Sequence, residues 1–113
     1  MRTNMREIKF RAWDDKGKQI IDHENIIMTE GTMFPMENIM QFTGLKDKNG
    51  KEIYEGDILN VVSISVPNYI GKVEFVDGCF WVSDKDGKGN QLFVPLRVEV
   101  IGNIYENPEL LKN

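Results

Sequence analysis

Apolar and polar residues alternate along most of this chain, in short runs that stop at clusters of Asp, Asn, Gly and Pro. Alternation of that period predicts strands rather than helices. "IKFRAW" places Ile8, Phe10 and Ala12 on one face and Lys9, Arg11 and Trp13 on the other, and "KQII" returns after a turn. "GDILNVVSISV" is a long β-branched run ended by Pro67 and Asn68. "YIGKVEFV" then meets "CFWVS" across Asp77 and Gly78, a strong two-residue hairpin signal. That turn pairs Val76 with Cys79, Phe75 with Phe80, Glu74 with Trp81 and Val73 with Val82. One face then carries Val73, Phe75, Phe80 and Val82 as core, and the other carries Lys72, Glu74, Val76, Cys79 and Trp81. "QLFVP" and "RVEVIGNIYE" supply two more strands, with Pro95 breaking the ladder between them. In the tail, Asn107 is placed as a helix N-cap and Pro108 as the first helical residue.

Three connections share one pattern, Asp, two residues, Gly, Lys: Asp14 to Lys18, Asp47 to Lys51, and Asp84 to Lys88. The Asp side chain accepts backbone amides ahead of it, and Gly17, Gly50 and Gly87 are expected in the left-handed region. None of the three keeps the ligand order of an EF-hand, so calcium is not expected. Gly56 and Asp57 are read as shaping the start of the long strand. The stretch "HENIIMTEGTMFPMENIM" keeps no clean period and is read as a long loop with a short helix or strand pieces. Its Met28, Met33, Met36 and Met40 are adaptable apolar filler for a core seam or a partner surface.

These runs predict a mainly β protein with little helix. A small SH3-like β-barrel is expected in the C-terminal half, 53–113, with an N-terminal β-hairpin region and the irregular Met-rich segment, 1–52, packed on it as one compact unit. The 113 residues, 41% apolar and 28% charged, suffice for one domain with an adequate core. Cys79 is the one cysteine, so neither an intramolecular disulfide nor a multi-thiolate zinc site exists. The chain has no signal-peptide run and no membrane-length apolar window, and a cytoplasmic protein of the bacterial host cell is expected.

Net charge is −4, which argues mildly against non-specific attraction to nucleic acid. The N-terminus is locally basic, however: Arg2, Arg6, Lys9 and Arg11 face only Glu7 in the first eleven residues. With Trp13 they compose a possible nucleic-acid arm, a ring to stack on a base and cations for phosphates. The alternative is a strand packed on the rest of the molecule.

Catalytic candidates are few. His23 is the one histidine, in a polar stretch; Cys79 borders a tight turn with no basic cluster near it; Glu55 and Asp57 lie close enough to repel but read better as turn-shaping groups. No phosphate-loop, dinucleotide or metalloprotease motif occurs. No catalysis, cofactor or metal is therefore expected. A protein partner or self-association fits better, because Trp13 and Trp81 both fall on polar strand faces, with Lys9 and Arg11 beside the former. Trp81 is expected either under the N-terminal hairpin or at an interface.

The segments "IKFRAWDDKGKQI", "MQFTGLKDKNGKEIYEGDIL", "GKVEF" and "VEVIGNIYENPELL" resemble, in order and spacing, the pattern of the YopX family, small proteins encoded by phages and prophages. The resemblance implies a mostly β fold and a phage or prophage origin. It brings no catalytic or binding residues to carry over.

Overall fold

The structure, a computed structural model, describes residues 7–28, 34–62, 67–92 and 97–112. Arg2, Arg6, Met33 and Pro95 lie outside them. Two antiparallel sheets hold almost all of the regular structure. The first comprises β1 (Phe10–Asp14), β2 (Gln19–Ile21), β3 (Ile39–Lys46) and β4 (Glu52–Tyr54), in the order β2-β1-β3-β4. The second is a curled half-barrel built from β5 (Asp57–Val62), β6 (Tyr69–Val76), β7 (Cys79–Ser83), β8 (Gly89–Gln91) and β9 (Arg97–Asn103), in the order β8-β7-β6-β5-β9. A short helix α1 (His23–Met28) and two 3₁₀ turns, Met36–Asn38 and Pro108–Leu111, complete it. The described residues of the segment read as aperiodic thus form a short helix, a 3₁₀ turn and the start of β3.

The β6–β7 hairpin has the register that its turn dictates, from Val76 opposite Cys79 to Val73 opposite Val82. Asp77 and Gly78 both take positive φ, 51° and 83°, as a type I′ turn requires. Val73 and Val82 are buried with Leu59, Val61, Ile53, Leu92 and Val98. The same face continues past that core, so Phe75, expected inside, is 51% exposed beside half-buried Phe80.

Gly56 joins the sheets. Its φ is +84°, its amide donates to the Val73 carbonyl at 2.9 Å, and its carbonyl accepts the Ile104 amide at 2.8 Å. A Cβ here would lie 3.0 Å from the Met40 sulfur, on top of the left-handed strain. Thr43 fills the register shift between β3 and β4, its hydroxyl donating to the Ile53 carbonyl at 2.8 Å and accepting the Leu45 amide at 3.1 Å.

The three Asp-to-Lys turns are not alike. Asp47 and Asp84 each accept two amides on one carboxylate oxygen, from Asn49 and Lys51 and from Asp86 and Lys88, with Gly50 and Gly87 left-handed. In the first turn the left-handed residue is Lys18, φ 55°, and not Gly17. The Lys18 amide reaches back to the Asp14 carbonyl at 2.8 Å, making a five-residue turn in which a Cβ on Gly17 would sit 2.7 Å from Asp14 Oδ2 and push that carboxylate aside. Asn107 also departs from expectation. Pro108 opens the terminal turn, but the Asn107 side chain makes no cap; its Oδ1 accepts the Asn103 amide at 3.2 Å.

Candidate partner surface

The face of β1 that carries Lys9, Arg11 and Trp13 is the inner one, as in the packed-strand alternative, and not the partner or nucleic-acid surface offered for these residues. Lys9 Nζ donates to Glu52 Oε2 at 2.6 Å and stands 5.0 Å over the Phe42 ring. Arg11 donates to Asp57 Oδ1 at 2.6 Å with its guanidinium 4.5 Å over Tyr54. Trp13 is 6% exposed and stacks on Tyr105 at 5.2 Å and 9°. It closes a cluster with Met40, Phe42 and Tyr54. Long cationic stems cover rings while their heads meet carboxylates, so a polar-looking strand face becomes core. The outward face holds Ile8 and Phe10, both exposed, and Ala12, which is buried.

The Glu55 and Asp57 carboxylates, the candidate acid–base pair, are tied to the backbone. Glu55 Oε1 accepts the Gln41 amide at 2.7 Å, and Asp57 Oδ2 accepts the Tyr54 amide at 2.8 Å. Burial pushes the Asp57 carboxyl above its ordinary range, against the opposing pull of Arg11 and the Tyr54 amide. His23 Nδ1 accepts the Phe10 amide at 3.2 Å. Cys79 is half-buried beside the hairpin turn. Among the described residues no group of three or more His, Cys, Asp or Glu could hold a metal ion, and no helix is long and apolar enough to cross a membrane.

Exposed apolar residues include Ile8, Phe10, Met36 and Val62, and the β6–β7 hairpin adds Phe75 and Val76 close together. Trp81, paired across the ladder with Glu74, is half-buried and belongs to neither apolar cluster, so it is not part of the N-terminal sheet's aromatic core. Val76 on the same outer face is 40% exposed. On the inner face Phe75 and Phe80 meet edge to face, 5.0 Å between centroids. At the other end of β6 the terminal 3₁₀ turn packs against the strand, and a groove of about 570 Å³ opens there, lined by Tyr69, Ile70, Asp84, Lys85, Leu110 and Leu111. The Tyr69 hydroxyl donates to Asn90 Oδ1 at 2.8 Å, and burial raises its phenol above the usual value. Sequence reasoning found Trp81 and missed this groove, because the tail meets β6 only after folding.

The family model described as YopX protein matches residues 26–112. The chain belongs to the YopX family. The chain is also similar to a solved structure, that of protein EF1440 from Enterococcus faecalis, at 27% identity and a TM-score of 0.61 over 94% of this chain and 99% of that one. Comparison with curated proteins gives no match. Within the matched residues, Thr43 to Asp57 hold the bulge filler Thr43, the turn residues Asp47 and Gly50, the Lys9 partner Glu52, and the joint Gly56–Asp57. The carboxylates of this stretch, Asp47, Glu52, Glu55 and Asp57, are all engaged in hydrogen bonds or ion pairs within the fold.

Proposed function

We propose that this YopX-family chain is a non-enzymatic accessory protein of phage or prophage origin that acts in the cytoplasm of the bacterial host by binding protein, through the β6–β7 hairpin. The observation that carries the reading is the aromatic and aliphatic surface at the hairpin end, where Phe75 stays half exposed against Phe80, and Val76 and Trp81 lie on the opposite side. Rings of this size are enriched in protein interfaces. Support comes also from what the other groups are doing. Glu55, Asp57 and His23 serve backbone amides, which leaves no free acid–base pair among them.

The competing nucleic-acid reading needs Lys9, Arg11 and Trp13 at the surface. Lys9 and Arg11 are instead neutralised by Glu52 and Asp57, and Trp13 is buried, so the reading loses its three central residues. Affinity capture from bacterial host lysate tests the proposal. A partner enriched on wild type and lost on Phe75→Ala and Trp81→Ala supports it, whereas captures identical for wild type and both variants overturn it.

A further inference from the structure

The outer face of β6 presents, in order, Ile70, Lys72, Glu74 and Val76. Lys72 and Glu74 are half-buried, yet neither has an ion-pair partner among the described residues. The four residues are symmetric in character about Val73: apolar at both ends, with opposite charges either side of the centre. Turned over by a two-fold axis at Val73, the strand meets itself with Lys72 against Glu74, Glu74 against Lys72, Ile70 against Val76 and Val76 against Ile70. An axis at position 72 or 74 instead sets like charges face to face. Isologous contacts of this kind, residue i on j and j on i, are the commonest way in which identical chains pair.

We propose that the occupant of this face is a second copy of the chain, packed antiparallel on β6 with reciprocal Lys72–Glu74 pairs. The hairpin end of each copy, Val76 with Trp81 beside it, enters the groove lined by Ile70, Leu110 and Leu111 of the other. This rests on the protein-binding reading and names its partner for one side of the hairpin. Ile70 and Val76 stand about 20 Å apart along the strand, so tip and groove engage at both ends of one interface. The apolar ends supply the affinity. The charged centre fixes the register, since close opposite charges reward one alignment and like charges penalise its neighbours.

Sedimentation equilibrium of wild type, Lys72→Glu, Glu74→Lys and the double variant Lys72→Glu/Glu74→Lys tests it. Wild type is expected as a dimer. Each single variant should dissociate with a Kd raised about tenfold or more. The double variant should recover the dimer, and an equimolar mixture of the two single variants should form a heterodimer, because one carries two acids and the other two bases at these sites. Unchanged far-ultraviolet circular dichroism checks that the variants are folded. A wild-type monomer at all concentrations, a dimer indifferent to the single reversals, or a double variant that stays monomeric each overturns the proposal. Capture of another protein that depends on Phe75, on the inner face, would leave the protein-binding reading intact in that case.

Discussion

Asp47 Oδ2 accepts the Val100 amide at 2.9 Å, across 53 positions of sequence. The neighbouring Lys48 amide donates to the Val98 carbonyl at 3.0 Å. A turn that reverses the chain between β3 and β4 therefore also grips β9 of the other sheet. Asp84 has the same local bonds and, among the described residues, makes no such long-range one. Replacing Asp47 by Ala should cost about 3 kcal/mol, through lost charge-assisted bonds and an orphaned amide on β9. Asp84→Ala should cost about 1 kcal/mol. Urea unfolding of the two variants measures the difference, and equal losses would refute the special role of Asp47.

Acid should act through the same carboxylate. Burial alone would raise its pKa, but amide bonds from Val100, Lys51 and Asn49 prevail and hold it below the usual value of 3.8. A folded pKa below the unfolded one means stability that is fully present above about pH 4 and lost as pH falls through the folded value. Asp57 has the opposite sign, its raised pKa favouring the fold as the group protonates. Between pH 6 and 2 the Asp47 contribution should therefore make the urea midpoint of wild type drop relative to that of Asp47→Asn, which lacks it.

The Arg11–Asp57 pair is buried, with Asp57 only 1% exposed. Removing one partner strands a charge, so Arg11→Met should destabilise by about 3 kcal/mol. Adding Asp57→Asn should recover part of that loss, which a double-mutant cycle would read as a favourable coupling energy. Independent, additive effects would contradict the pairing.

Trp13→Ala should cost about 3–5 kcal/mol as a core truncation. In the milder Trp13→Phe, protein capture should persist, because the ring faces Tyr105 rather than a partner. Loss of capture in a folded Trp13→Phe protein would return this residue to the binding surface.

The hairpin of β6 and β7 was legible to the residue, because Asp77–Gly78 fixes a register locally and alternation does the rest. The two faces of β1 were also legible, but not which of them is inside. Period-two alternation separates faces by residue class, and here the charged class is inward, held by Glu52 and Asp57, whose positions 43 and 46 residues away only the fold reveals. The same limit explains Lys18 and Asn107. Each obeys a contact with a neighbouring side chain or carbonyl that outweighs the local preference of Gly17 or of an N-cap.

The Asp47–Lys48 grip on β9 has a consequence for colloidal behaviour. A strand at the margin of a sheet ordinarily offers unpaired amides and carbonyls on which foreign strands can add, the first step of fibril growth. Here the seven-residue margin of β9 is plugged at Val98 and Val100 by the protein's own turn, and the opposite margin, β8, is three residues long. Unplugging it by Asp47→Ala should therefore convert a merely less stable protein into one that aggregates while still folded.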